Sequence, residues 1–254
     1  MMRKLPVALQ VYSIREEAEN NFVKTMQEVK DMGYDGVELA GLYGHTPEEV
    51  RDILKENDLT PISAHVPYME FMEDIKETVN RYATIGCRYL AIPYLTEDYR
   101  YRTENYKTFL DNIPLIARAC NDKGITLLYH NHDFEFEQTK DGNYVLDELF
   151  GQFSKEIIKT EIDTCWVKVS GVEPTEYIRK YSGRSPLIHV KDFVKEDKFD
   201  YRPLGQGVQD IPAILEEALK AGAEWVVVEQ DDHSEKSPME DMLISRNYLK
   251  TLGW

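Results

Sequence analysis

The sequence predicts a (β/α)₈ barrel, and three observations carry that prediction. Eight short β-rich runs recur along the 254 residues, roughly 25 to 40 residues apart, as a repeated βα unit requires. Most of these runs lack strict polar alternation, as expected of parallel strands buried on both faces. A doubly wound open sheet would want a glycine-rich phosphate turn after the first strand. Here that strand passes instead into Tyr12-Ser13-Ile14-Arg15-Glu16. Eight units also match barrel closure.

The runs are VALQVYS (7–13), GVELA (36–40), PISAH (61–65), YLAIP (89–93), TLLYHN (126–131), IKTEID (158–163), PLIHVKD (186–192) and WVVVEQ (225–230). Arg3-Lys4 followed by LPVALQV faintly mimics a secretion signal. The apolar stretch is short, carries Gln10 and lacks a small-residue cleavage site, so it reads as the first strand. Between the runs lie amphipathic stretches. Phe22, Met26, Val29 and Met32 share one helical face, as do Ile211, Ile214, Leu215 and Ala218. Thr46-Pro47-Glu48-Glu49 and Ser237-Pro238-Met239-Glu240 each read as an N-cap, a proline at the first helical position and a capping-box Glu. Gly33, Gly86, Gly124 and Gly222 each stand just ahead of a strand, where a helix C-cap needs a left-handed residue. No proline- or serine-rich linker interrupts the series, so residues 1–254 are expected to form one domain.

Composition narrows the class. With 42% hydrophobic and 11% aromatic residues the chain can bury a large core, which excludes disorder. No apolar run approaches the ~20 residues a membrane helix needs. Cys87, Cys120 and Cys165 share no close spacing, so a disulfide framework or zinc ribbon is not expected and a cytoplasmic location is. A net charge of −16 repels nucleic acid and anionic membrane and attracts cations, although plain solubility accounts for it equally well. Nothing in the pattern opposes a homo-oligomer.

In such barrels the chemistry lies at the C-terminal strand ends and the loops after them. His45, His65, His130, His132, His189 and His233 all fall at such places. IKTEID ends on Asp163, and the apolar stretch WVVV leads directly into Glu229. A carboxylate where a buried strand opens is costly unless paired, hydrogen-bonded or metal-bound. With His189, three consecutive strands then offer O, N and O ligands, a set that suits Mn²⁺, Mg²⁺, Co²⁺ or Zn²⁺. The alternative is a hydrogen-bonded His–Asp–Glu cluster without metal. In TLLYHNHDFEFE, alternation sets His130 and His132 inward and Tyr129 and Asn131 on the other side. Glu135 follows in the loop, where it can fold back. Tyr12, Tyr43, Tyr68, Tyr94, Trp166 and Phe193 crowd the same end, as sugar-stacking faces or as caps on the core.

YHNHDFEF (129–136), EIDTCWV (161–167), IHVKD (188–192), YRPLGQG (201–207) and WVVVEQD (225–231) together resemble the sugar phosphate isomerase/epimerase superfamily, the xylose isomerase-like TIM barrels. The resemblance runs nearly end to end. It implies one divalent metal held by residues from strands five to eight, with Asp163, His189 and Glu229 matching the last three. Relatives such as ketose 3-epimerases carry Glu at the first of these positions, whereas this chain has His130, with Glu135 as the alternative ligand. Gln206 is a smaller departure, at a place where relatives often show Glu. The implied chemistry is proton abstraction beside a metal-polarised carbonyl of a sugar, keto-sugar or sugar phosphate, through an enediolate. Reprotonation gives an epimer or isomer; loss of a β-hydroxyl gives dehydration, as in the inosose dehydratase branch. Glu229 is the expected base, His132 its opposite number, and Lys191 a holder of substrate oxygens. His65, Asn131, Trp166 and Arg202 are the expected substrate contacts. A non-catalytic sugar-binding barrel is the reading from another class. A metal-dependent endonuclease shares the architecture but needs further ligands and a basic groove, which a charge of −16 opposes.

Overall fold

The computed structural model describes residues 4–195 and 198–254. Its centre is a closed, all-parallel barrel of eight strands. Seven come in chain order: β1 (Val7–Gln10), β2 (Gly36–Leu39), β3 (Thr60–His65), β4 (Tyr89–Ile92), β5 (Thr126–His130), β6 (Lys159–Asp163) and β7 (Leu187–Val190). A hairpin of β8 (Asp192–Lys195) and β9 (Phe199–Arg202) intervenes before β10 (Trp225–Val228), which pairs with both β7 and β1 to close the ring. The expected barrel is therefore present.

Period-two alternation sorts each strand into an outer and an inner face. Leu9, Val37, Leu127, Tyr129, Ile162, Ile188, Val190, Val226 and Val228 join the main core under the helices. Ala8, Ile62, Tyr89, Ala91, Leu128, Leu187 and Val227 form a separate apolar plug. Two residues further along the same inner face, the side chains turn polar. Gln10 follows Ala8, His130 follows Leu128, His189 follows Leu187, and Glu229 follows Val227. All four are buried. The lower barrel is thus sealed with hydrocarbon and the upper end carries charge.

The helices follow the sequence signals. In α1 (Arg15–Met32), Phe22, Met26, Val29 and Met32 are buried. In α9 (Ile211–Ala221), Ile211, Ile214, Leu215 and Ala218 are buried too. Capping boxes at Thr46–Glu49 and Ser237–Glu240 open α2 (Pro47–Glu56) and α10 (Pro238–Thr251), each with proline in the first turn. Gly86 and Gly222 end their helices at φ +102° and +85°, a conformation that costs a residue with a Cβ roughly 1–2 kcal/mol.

Six runs end one to three residues earlier than the sequence suggested, and two of them for a visible reason. VALQVYS stops at Gln10, whose side chain accepts from Tyr12 N at 3.0 Å and starts a 3₁₀ turn, Val11–Ile14. PLIHVKD divides at Lys191, with Asp192 belonging to the hairpin. The cause is local. The buried Asp192 carboxylate accepts from the backbone N–H groups of Phe193, Gly205, Gly207 and Gln209 at 2.9–3.0 Å, tying the turn after β9 beneath the hairpin.

Gly36 shows how closely the strands approach. A Cβ there would lie 2.5 Å from Thr60 O on β3, whereas Gly151, in α6 (Val145–Gln152), has open space around it. Gly36→Ala is expected to cost about 1–3 kcal/mol by overpacking and to lower Tm by ~2–4 °C for each kcal/mol. Gly151→Ala should leave Tm unchanged or raise it. Thermal unfolding followed by circular dichroism compares the two, and an unchanged Gly36→Ala midpoint would contradict the packing account.

Candidate active site

The polar end of the barrel holds two stacked layers of charge. The upper layer collects what β5, β6, β7 and the end of β10 supply: His130, Asp163, His189 and Glu229 each offer a ligand atom, all within 4.8 Å of one another. The expected trio of Asp163, His189 and Glu229 therefore converges, and His130 rather than Glu135 completes it. His189 Nδ1 lies 2.7 Å from Glu229 Oε2, and His130 Nε2 lies 3.5 Å from Asp163 Oδ2. Lys191, fully buried, places its ammonium 2.9 Å from Asp163 Oδ2, 2.9 Å from Glu229 Oε2 and 3.0 Å from Asp231 Oδ1.

The lower layer was not anticipated. Glu161 precedes Asp163 by two residues on the same inner face of β6, and Glu38 occupies the matching face of β2. Glu161 Oε2 is 2.7 Å from His65 Nε2 and 3.1 Å from His130 Nδ1. Glu38 Oε2 accepts from Gln10 Nε2 at 2.8 Å and lies 2.7 Å from His189 Nε2. His65, His130, Glu161 and His189 form a second group with atoms within 4.8 Å. Alternation already contained the signal. If Asp163 points inward, so does Glu161, two residues before it.

Electrostatics inside this cluster run in opposite directions for neighbouring groups. Burial drives the His130 imidazole down to about 3, against the pull of Glu161, so His130 is neutral. Burial also acts on His189, but Glu161, Glu38 and Glu229 outweigh it and hold that imidazole's proton well above the ordinary range. Burial raises the Asp163 carboxyl despite Lys191. For Glu229 burial loses: Lys191 and His189 hold it well below the usual carboxylate range. Lys191 keeps its proton against burial because Asp163, Asp231 and Glu229 surround it.

A cavity of about 580 Å³ opens above the layers, lined among others by Tyr12, His65, Tyr94, His132, Glu229 and Asp231. His132 is the side chain poised on it. Burial pushes its imidazole well below the ordinary value, and Nδ1 is buried without a hydrogen-bond partner. Trp166 lies beside His132, with ring centroids 5.4 Å apart. It is stacked on Phe199 of the hairpin at 5.9 Å, and Tyr201 Oη donates to Asp231 at 2.6 Å. The unexpected hairpin thus packs behind Trp166 and Asp231.

Three expected residues serve elsewhere. The Asn131 amide is spent on the backbone of Asp163, accepting from its N–H at 3.0 Å and donating to its carbonyl at 3.3 Å. It braces the strand end instead of meeting substrate. Arg202 is held by Asp200 at 2.5 Å, Ser234 at 3.0 Å and Glu235 at 3.2 Å, outside the cavity. Glu135 does fold back, but its oxygens accept from Tyr129 Oη at 2.6 Å and His132 N at 2.8 Å; it shapes the loop and joins neither group. Of the six histidines, His45 pairs with Glu49 at 3.8 Å and His233 with Asp241 at 2.7 Å, away from the cluster. Tyr43 stacks on Phe22, and Tyr68 is buried beside Asn112; both belong to the core.

A barrel whose inner face turns from hydrocarbon to carboxylate and imidazole beneath an open cavity has the layout of an enzyme. Residues 26–252 match the model of the xylose isomerase-like TIM barrel family, and the chain belongs to that family. It is similar to the inosose dehydratase of Clostridium beijerinckii, at 23% identity over 91% of this chain and 90% of that protein. In fold it resembles a sugar phosphate isomerase/epimerase from Parabacteroides distasonis, with TM-score 0.84, 22% identity and 97% and 98% of the two chains covered. An L-ribulose 3-epimerase superposes with TM-score 0.73, 14% identity and 97% and 94% coverage. Among the described residues no helix is long and apolar enough to cross a membrane.

Burial carries the Glu135 carboxyl up to about 7 despite its two hydrogen bonds. A carboxyl raised on folding contributes stability that is complete below its unfolded value, near 4.5, and is lost as pH rises through 7. Glu135→Gln should therefore gain on the wild type by a few degrees in Tm between pH 5 and pH 8. A difference in Tm that stays flat with pH would contradict this placement.

Proposed function

We propose that residues 1–254 act as one metal-dependent enzyme that moves a proton beside the carbonyl of an unphosphorylated sugar or keto-sugar, giving an isomer or epimer. The observation that carries this reading is the union of a buried O/N ligand set with a cavity on which His132 and Glu229 both open. The residues fit a divalent ion. The four donor side chains are buried with ligand atoms within 4.8 Å of one another, and carboxylate with imidazole suits Mg²⁺, Mn²⁺, Co²⁺ or Zn²⁺. His130, Asp163, His189 and Glu229 would hold it. When bound, such an ion supplies polarisation of a carbonyl, which makes the adjacent C–H acidic.

The chain's own groups divide the remaining work. Glu229, ionised beside Lys191 and His189, takes the proton at the oxygen that faces the cavity. His132, neutral and unpaired at Nδ1, carries the proton on the other side of the substrate. Lys191 holds Glu229 and Asp231 in place and meets a substrate oxygen. His65, Tyr12 and Tyr94 border the space, the two tyrosines presenting aromatic faces to a sugar's C–H surface, and Trp166 stands behind His132. A phosphate is not provided for. The cavity lining includes Glu70, Glu229 and Asp231 and no Arg or Lys among the described residues, so a phosphoryl group would meet like charge.

A second reading, dehydration of a cyclitol or keto-sugar, is favoured by the likeness to inosose dehydratases along nine-tenths of the chain. It needs the same proton abstraction followed by loss of a β-hydroxyl, so the two readings part only at the product.

Incubating the metal-loaded protein with free keto-sugars and inososes in D₂O tests both. Deuterium at the carbon beside the carbonyl is expected; its absence from every substrate would leave a binding barrel instead. Loss of water from the product would select the dehydratase. Asp163→Asn should abolish metal binding and turnover while the fold persists, because the mouth is dispensable for barrel closure. His132→Ala should keep metal affinity and slow proton transfer by something like 10²–10⁴-fold. Full activity in either variant would remove that residue from the site.

A further inference from the structure

Glu38 and Glu161 of the lower layer have no part in the reading above, yet they meet two of the proposed ligands from beneath. His130 and Glu161 are paired residues across the β5–β6 ladder. His130 presents Nδ1 to Glu161 Oε2 at 3.1 Å, in hydrogen-bonding geometry, and Nε2 toward Asp163 at 3.5 Å. The same Glu161 oxygen takes His65 Nε2 at 2.7 Å and has His189 Nε2 at 3.4 Å. One fully buried carboxylate oxygen therefore faces three imidazoles.

We propose that Glu161 is a positioning residue that fixes His130 in its Nδ1–H tautomer, so that the Nε2 lone pair is aimed at the Asp163–Glu229 side. This rests on the reading of His130 as a metal ligand. A neutral imidazole carries one N–H and one lone pair. An ionised carboxylate can only accept, so whichever nitrogen faces Glu161 carries the proton. The other tautomer would leave two lone pairs, on His130 Nδ1 and Glu161 Oε2, opposed in a dry interior, and would point an N–H at the place a cation needs. His65, held to the same oxygen, is the spacer that keeps Glu161 from turning away.

The geometry also disfavours the rival use of Glu161. With His65, His130 and His189 it could hold an ion of its own, but that ion would take the His130 Nδ1 lone pair. Filling both layers would then require His130 to lose both ring protons.

The test combines metal affinity with tautomer. Long-range ¹H–¹⁵N NMR on the metal-free wild type should show His130 protonated at Nδ1, and calorimetric titration with Mn²⁺ should give one ion per chain. E161L should lose the tautomer preference and weaken Mn²⁺ binding roughly 10- to 100-fold. E161Q keeps an acceptor without the charge, so it should keep the tautomer and weaken binding less. If E161L does not fold, E161Q decides: affinity equal to wild type overturns the proposal. So does an Nε2–H tautomer in the wild type, or two Mn²⁺ ions per chain of which E161Q loses one. If the wild type binds no Mn²⁺, the metal reading fails, and the wild-type tautomer alone still decides the role of Glu161.

Discussion

Mutual neutralisation of carboxylates by Lys191 and the imidazoles is the interaction on which the barrel mouth depends. Glu38, Glu161, Asp163 and Glu229 are all buried, and like charges at such spacing cannot all be ionised in a dry interior without cations among them. The cations are threaded between the layers: Lys191 among Asp163, Glu229 and Asp231, and His189 between Glu229 above and Glu38 below. Removing one partner leaves an uncompensated buried charge, which costs more than the pair contributes. The site is consequently cooperative. Its members hold one another in place, and a substitution at one position shifts proton affinities at the others.

That cost is confined to one end of the molecule. Ala8, Leu128, Leu187 and Val227 fill the inner face below the charges, and the outer faces pack on helices without involving the mouth. Closure is secured by hydrocarbon before any ionisable group enters. The loops can then specialise. Asp192 gathers four backbone N–H groups and fixes the turn beneath β8–β9, and the hairpin delivers Phe199 to Trp166 and Tyr201 to Asp231. A carboxylate outside the cavity thereby helps to set the position of Asp231 at its wall.

The fold was legible in the sequence because strand periodicity, caps and C-terminal glycines all agree. Asp163, His189 and Glu229 were legible for a different reason, as ionisable groups at the ends of apolar runs. The lower layer was hidden because attention to strand ends passes over Glu38 and Glu161, which stand inside their runs. Applying period two backward from Asp163 recovers Glu161. Glu38 gives no such handle, since its run ends on apolar Leu39 and Ala40. Asn131 was misplaced although alternation put it on the side away from His130; a strand end that opens into a loop needs its backbone groups satisfied, and that demand takes the amide. Arg202 and the hairpin could not be read locally, because PLIHVKD looks like one run until Asp192 finds partners more than ten residues later.

The departure at strand five acquires a physical meaning from this arrangement. Exchanging a ligating carboxylate for the neutral His130 removes one negative charge from contact with any cation in the upper layer. Glu161 restores a carboxylate one step below, on the far side of the ring. Coulomb attraction falls as the inverse of distance, so a charge behind an imidazole stabilises a cation less than one in contact. It does, however, raise the basicity of the nitrogen in between. Such a site trades raw attraction for a ligand of fixed orientation. It also leaves the neighbouring imidazole, His132, free of metal duty and available at the cavity wall. In a chain with carboxylates as plentiful as these, a neutral imidazole beside ionised Glu229 would, in the proposed role of proton carrier, supply what another carboxylate would not. Its proton affinity is lowered first by burial and then by the Lys191 ammonium, against the attraction of Glu229.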